Sequence, residues 1–303
     1  MSNIIAVVWD FDKTLIGSYM QDPIFNRYGV DGATFWKEVN ALPDKYMNEQ
    51  GVRVNKDTIY LNHFLTYVKS GRFAGLSNKV LKELGAELKF YNGLPQLMDT
   101  CKKIISENQR YSEYDIKVEH YIVSTGFTEM IKGSAVAPYV SGIWGCELIE
   151  QPDDDGNMVI SEIGYTIDNT TKTKALFEIN KGVGILEGID VNTKLAEEFR
   201  RVRFENMIYI ADGPSDVPAF STVNKSGGST FAIYPHNDIR AFKQVEQLRK
   251  DGRINMYAEA NYAEGTTAFI WITEKIKEIA ERIRNQERTR LLSSISESPK
   301  HLT

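Results

Sequence analysis

Near the start of the chain, residues 4–15 read Ile4-Ile5-Ala6-Val7-Val8-Trp9-Asp10-Phe11-Asp12-Lys13-Thr14-Leu15. An unbroken apolar run of this length, without polar alternation, is the pattern of a strand buried on both faces of a sheet. It ends abruptly in acid. Asp10 and Asp12 are two apart, so on an extended chain their side chains leave on the same side. Two acids closing a buried strand have little structural use, and they read as chemistry.

Three more short apolar runs, at 121–123, Met207–Ala211 and 231–234, have the same character. Helical patterns at 94–105, 172–181, 194–203 and 239–249 lie between or beside them. Strands alternating with helices predict an α/β fold with a doubly wound, Rossmann-like, mostly parallel sheet. Residues 144–167 carry Asp155-Gly156 between two strand-like runs and predict a β-hairpin at the sheet edge. Residues 15–90 interrupt the alternation with aromatic-rich helical patterns at 23–28, 34–47, 58–68 and 77–88. The expected organisation is therefore a catalytic core of residues 1–15 and 90–292 and a helical cap domain at 16–89, inserted after the first strand. A flexible tail is expected at 293–303. Ile272, Ile276, Ile279 and Ile283 give residues 266–292 the stripe of an amphipathic helix closing the core.

Composition removes several classes. The 303 residues carry 36 Lys plus Arg against 41 Asp plus Glu, a formal charge of −5, so the basic excess that drives nucleic-acid binding is missing. No apolar stretch approaches the length of a membrane-spanning helix, and the amino terminus lacks the basic region of a signal peptide. Cys101 and Cys146 fit neither a disulfide framework nor a zinc pattern, and they suit a reducing, cytoplasmic compartment as buried thiols. The acidic run Asp153-Asp154-Asp155-Gly156-Asn157 lacks the spaced ligands of a calcium loop and reads as a turn.

In an open parallel sheet, ligands bind beyond the carboxyl ends of the strands. Those ends here are Asp10-Phe11-Asp12-Lys13-Thr14, Ser124-Thr125-Gly126 and Asp212-Gly213-Pro214-Ser215-Asp216. Asp10, Asp12, Asp212 and Asp216 would bring up to four negative groups into one small volume. At an effective dielectric near 20, each like-charged pair at about 4 Å costs on the order of 4 kcal/mol. A cation is required. Oxygen ligands without His or Cys select a hard ion, and Mg²⁺ is the natural one. His63, His120, His236 and His301 are scattered and form no zinc-like pair.

The segment from Val8 to Leu15 resembles the DxDxT signature of the haloacid dehalogenase-like superfamily in its phosphatase branch. Val123-Ser124-Thr125-Gly126 is similar to the second motif of that superfamily. Thr170-Thr171-Lys172-Thr173-Lys174-Ala175-Leu176 is similar to the third, and Asp212-Gly213-Pro214-Ser215-Asp216 to the acidic fourth. The helical insertion looks like the cap of phosphoserine-phosphatase-like members.

The resemblance implies a Mg²⁺-dependent phosphatase acting on a small soluble phosphate ester. Asp10 would be the nucleophile that forms an aspartyl-phosphate, and Asp12 the general acid and base. Ser124, with the N–H groups of Thr125 and Gly126 at a helix N-terminus, would hold phosphate oxygens. Lys172 would balance charge at the nucleophile and phosphate; it is preferred to Lys174 because Ala175 and Leu176 follow it at helical spacing. Asp212 would ligate Mg²⁺ with Asp10 and the backbone carbonyl of Asp12, Asp216 being a further ligand or an orienting group. Thr14 would fix the loop. A phosphotransferase using the same intermediate and a non-catalytic phosphate-binding module are the alternatives. The acidic residue that phosphoserine phosphatases place shortly after the first motif has no counterpart in Gly17-Ser18-Tyr19-Met20-Gln21. Tyr19, Arg27, Arg53 and Arg72 are candidates for contacting the rest of the substrate, and hinges are expected near 15–18 and 91–93.

Overall fold

A computed structural model of the chain describes residues 3–295. In chain order it contains β1 (Ile4–Trp9), α1 (Asp22–Tyr28), α2 (Gly32–Gln50), α3 (Ile59–Lys69), α4 (Asn78–Gly85), α5 (Gln96–Ser106) and α6 (Gln109–Ser112). There follow β2 (Lys117–Phe127), α7 (Thr128–Gly133), β3 (Val140–Pro152), β4 (Met158–Tyr165) and α8 (Thr171–Lys181). The chain continues through β5 (Met207–Ala211), α9 (Val217–Lys225), β6 (Ser229–Tyr234), α10 (Ile239–Lys250), β7 (Met256–Glu259) and α11 (Thr267–Ile295).

The strands form one seven-stranded sheet in the order β4-β3-β2-β1-β5-β6-β7. All pairings are parallel except the β3–β4 hairpin at the edge. β1 lies centrally because nearly every side chain in it is apolar: residues 5–9 are fully buried. Each such Val or Ile stabilises the fold by roughly 1.5–3 kcal/mol relative to exposure. The connections from β1 run to β2 on one side and the chain later returns to β5 on the other, so the crevice that a doubly wound sheet opens for ligands falls at the end of β1.

His120 shows how a polar group is accommodated in this core. The Trp9 indole N–H donates to its Nδ1 (3.1 Å), and its Nε2 faces the Met98 carbonyl at 3.0 Å, an arrangement that requires the neutral imidazole with the proton on Nε2. Burial pushes its pKa down to about 3. In the unfolded chain the same group takes up a proton near the ordinary histidine value of about 6.5. Between those limits the unfolded state binds more protons, so stability rises with pH there and is lost on acidification. The loss from this one group is up to about 1.4 kcal/mol per pH unit. Urea unfolding of the wild type should therefore weaken faster than that of His120→Gln between pH 6.5 and pH 4; parallel pH slopes would contradict the assignment.

Helices α1–α3 pack through rings. The Phe25–Phe35, Phe35–Phe64 and Phe64–Phe73 centroids are 4.9, 5.0 and 5.1 Å apart, in the range where tilted and edge-on pairs are favourable. Helix α4 is seated against α7 at two glycines. A Cβ on Gly85 would lie 2.1 Å from the Met130 carbonyl oxygen, and one on Gly133 would lie 1.7 Å from that of Lys82. Only hydrogen fits at either place. The Ile160 N–H donates to the Leu76 carbonyl (2.9 Å), and the Asn78 side-chain amide donates to the Leu148 carbonyl (2.9 Å), tying the same segment to the β3–β4 hairpin.

Several expectations change. Residues 194–203 form no α-helix, only a 3-10 turn at Glu197–Phe199. Leu195, Phe199 and Val202 stand at helical spacing, yet Phe199 is 68% exposed, and Arg200 and Val202 are bound instead to Asn180. Strand β7 and the short helix α6 carry too few residues to show a period and have no counterpart among the expected elements. The helix expected at 77–88 ends at Gly85. The two segments expected as hinges pair with each other, Ile16 bridging Phe90 and the Tyr91 N–H donating to the Leu15 carbonyl (2.9 Å), while the Tyr262 N–H donates to that of Asn92 (2.7 Å). Residues 293–295 continue α11, while the rest of the expected tail, including His301, lies outside the described residues. Among the described residues, no helix is long and apolar enough to cross a membrane.

Candidate active site

The carboxyl end of β1 is fixed before its chemistry begins. The Asp10 N–H donates to the Ile210 carbonyl (2.8 Å), extending the β1–β5 ladder by one bond. The chain then folds over itself, with the N–H of Leu15 on the Phe11 carbonyl (2.8 Å) and Lys13 in the left-handed region at φ 59°. That turn aims the Thr14 hydroxyl back at Asp10 Oδ2, to which it donates at 2.9 Å. The buried Tyr262 hydroxyl donates to the Thr14 carbonyl (2.6 Å) and holds the turn from the other side.

Helix α8 delivers Lys172 in its first turn. The side chain is 1% exposed, and Nζ donates to Asp10 Oδ1 at 2.7 Å and Asp216 Oδ1 at 2.6 Å. Lys174, by contrast, is exposed and pairs with Glu178 on the same helix. Asp216, directly before α9, is also bound by the hydroxyls of Tyr209 (2.6 Å) and Ser215 (2.8 Å). Asp10, Asp212 and Asp216 each offer a carboxylate oxygen within 4.8 Å of the others. Three acids from the ends of two neighbouring strands, β1 and β5, thus meet around one lysine.

Their electrostatics follow from burial. Asp212 is pushed up to about 8, first by burial and then by the charges of Asp10 and Asp216. Asp10 is raised by burial, against the pull of Lys172. Burial would lower Lys172, but Asp10 and Asp216 outweigh it and hold the ammonium above its ordinary value. One cation among three close carboxylates leaves the group short of positive charge. The all-oxygen donor set without His or Cys fits a hard divalent ion, which would displace the protons the acids retain.

The side chain of Asp12 stands apart from that cluster. Its Oδ1 accepts the Met20 N–H (3.0 Å), and burial, then the Asp10 charge, raise its pKa well above the ordinary aspartate value. It stands beside Asp10, and its carboxylate is not one of the three grouped oxygens, in keeping with the expectation that Asp12 would meet an ion through its backbone carbonyl and not its side chain.

The second strand end also differs from expectation. Thr125 and Gly126 do not open a helix: β2 runs on through Phe127, and α7 begins at Thr128. The extra length comes from a register shift against β3 between Val123 and Phe127. The Gly126 N–H donates to Ser124 Oγ (3.0 Å), so Ser124 caps its own strand end. A Cβ at Gly126 would sit 2.4 Å from the Met20 side chain, which explains glycine there.

Several participants were not foreseen. Tyr209 was visible as a polar tip within an apolar run, a usable signal. Tyr60, Gln21, Asn55 and Tyr262 come from distant loops and helices and gave none. Asn55 donates to Asp168 Oδ2 (2.8 Å), bracing the loop before α8. Of the cap candidates, Tyr19 accepts a hydrogen bond from Lys13 Nζ (2.7 Å), whereas Arg72 lies over the Tyr67 ring, and Arg53 is exposed.

No family model matches the chain. An uncharacterized protein of Borreliella burgdorferi is 41% identical over 287 residues, covering 90% of this chain and 97% of its own. Among solved structures, a haloacid dehalogenase family hydrolase of Salmonella enterica serovar Typhi superposes with a TM-score of 0.50 at 15% identity, over 85% of this chain and 67% of that one. A probable phosphoserine phosphatase of Vibrio cholerae, unliganded, does so with a TM-score of 0.52 at 14% identity, over 92% and 67%. The fold is that of the haloacid dehalogenase-like superfamily. The chain belongs to one family with the Borreliella protein.

Proposed function

We propose that the protein is a Mg²⁺-dependent phosphatase that hydrolyses a small phosphomonoester through an aspartyl-phosphate on Asp10. What supports this most is the buried Lys172 bridging Asp10 and Asp216 with Asp212 beside them. Such a cluster is costly to a fold and serves to receive a phosphate. Asp10, Asp212 and Asp216, with the backbone carbonyl of Asp12, would hold the ion. When bound, Mg²⁺ supplies positive charge that draws electron density from the phosphoryl oxygens.

The chain's own residues then act in order. Asp10, held by Thr14 and Lys172, attacks phosphorus; the Asp10 oxygen–phosphorus bond forms as the bond to the leaving oxygen breaks. Asp12 gives its proton to that oxygen, a transfer that its raised pKa favours. In the second half, Asp12 takes a proton from water, the water oxygen attacks phosphorus, and Asp10 is released as a carboxylate. Ser124, with the N–H groups of Thr125 and Gly126, would bind phosphate oxygens once Gly126 exchanges its bond to Ser124 for one to substrate. Residues 16–89 would serve as the cap over this site, and the free buried cysteines suit the cytoplasm.

A panel of phosphomonoesters, including p-nitrophenyl phosphate, tests the reading. Phosphate release is expected with Mg²⁺, its loss on chelation, and its return when Mg²⁺ is restored. Adding an acceptor alcohol should give free phosphate, not a phosphorylated alcohol. Silence on every ester would refute the proposal.

A further inference from the structure

Resting on the phosphatase reading, we propose that the leaving group is neutral and bears hydroxyls, as in a polyol or sugar, and that Gln21 and Trp36 recognise it. Both residues flank Tyr60, close to the acid that would protonate that group. Gln21 follows Met20, whose N–H holds Asp12, and it is 2% exposed. Its side chain lies beside the Tyr60 hydroxyl, which donates to the Thr125 carbonyl (2.6 Å) at the end of β2. The amide Oε1 is buried and accepts nothing among the described residues; the buried Trp36 indole N–H likewise donates to nothing there. The Trp36 ring lies 5.7 Å from Tyr60 and 5.4 Å from Tyr19, and the Tyr19 hydroxyl is bound by Lys13, next to Asp12.

A buried acceptor and a buried donor, both unmatched and both against one ring, are rare in a folded core and call for a ligand that supplies the missing halves. A hydroxyl does both, since it donates and accepts. Tyr19, 40% exposed, and the partly buried Trp36 offer ring surface to the C–H face of a polyol. Charged leaving groups fit worse. An ammonium would need a carboxylate, and the acids nearby are Asp12 and Asp212, already engaged at the reacting centre. A carboxylate would be repelled by the acid-rich centre, where Asp10, Asp212 and Asp216 group their oxygens within 4.8 Å.

The full chain with Mg²⁺ is assayed on sorbitol 6-phosphate, phosphoserine and p-nitrophenyl phosphate. Sorbitol 6-phosphate is expected to exceed phosphoserine in kcat/KM by about tenfold or more, the discrimination a site built for hydrogen-bonding a hydroxyl can impose. Trp36→Phe keeps the ring and removes the N–H; Gln21→Met keeps the length and removes the acceptor. Each should lower the ratio of kcat/KM for sorbitol 6-phosphate to that for p-nitrophenyl phosphate about threefold to tenfold, chiefly through KM, the effect of one lost neutral hydrogen bond. Phosphoserine matching or exceeding sorbitol 6-phosphate, or variants that leave the ratio unmoved, would overturn the leaving-group assignment while phosphatase activity stands. No phosphate from any of the three esters would overturn both.

Discussion

Asp10→Asn is expected to lower kcat on p-nitrophenyl phosphate by on the order of a thousandfold or more, because it removes the atom that forms the covalent bond to phosphorus and no neighbour can replace it. The same variant should be at least as stable as the wild type. Burial and the adjacent Asp216 already disfavour a charge on Asp10, so an amide of the same shape relieves repulsion, and Lys172 keeps its bond to Asp216. Activity and stability thus move in opposite directions, which simple misfolding cannot imitate. Phosphate release by steady-state assay, beside urea unfolding, measures the two effects. A variant that kept kcat within tenfold of wild type would show that Asp10 is not the nucleophile.

Lys172→Met should reverse the stability sign. It leaves Asp10 and Asp216 buried beside Asp212 without the ammonium that both now share, and breaking such a pair from one side typically costs about 3–5 kcal/mol. The kcat of whatever folds should fall by on the order of a hundredfold or more, since a fixed cation at the reacting centre is lost. Lys174→Met is the natural control. It removes a pair in which the lysine is exposed and Glu178, buried, keeps the Trp144 indole N–H (2.7 Å), so its effect on stability should stay within about 1 kcal/mol. Adding Asp216→Asn to Lys172→Met should recover part of the lost stability, because one of the stranded charges goes with it. Equal unfolding midpoints for the two lysine variants would contradict the charge-sharing account.

The preference for Lys172 over Lys174 shows how much of this site a sequence can disclose. The two apolar residues at helical spacing after Lys172 put it on the buried side of α8, and the structure buries it. The acids were legible for a similar reason: Asp10, Asp212 and Asp216 stand where buried apolar strands stop, so their convergence follows from sheet topology. The sheet itself was legible wherever strands were apolar on both faces. β7, four residues long and half exposed, was not. Where local spacing had to stand in for tertiary contact, the reading failed. Residues 194–203 carry helix formers, yet their backbone is captured by Asn180 from the preceding helix. Thr125 and Gly126 looked like a helix entrance, yet a register shift carries β2 past them. The Gln21–Tyr60 contact joins positions with no periodic relation, and nothing short of the folded chain announces it.

The two hydrogens at Gly85 and Gly133, where α4 meets α7, bear on how a substrate enters. Backbones packed this tightly cannot slide, and the hydrogen bonds from Asn78 and Ile160 beside them resist rotation. The helical layer is therefore moored along one side, like a shutter fixed to its frame. On the proposed reading, opening toward an ester is expected to be greatest on the opposite margin, around the loop of residues 51–58, where Asn55 donates to Asp168 through an exposed contact and Asp57 accepts the Asn169 N–H.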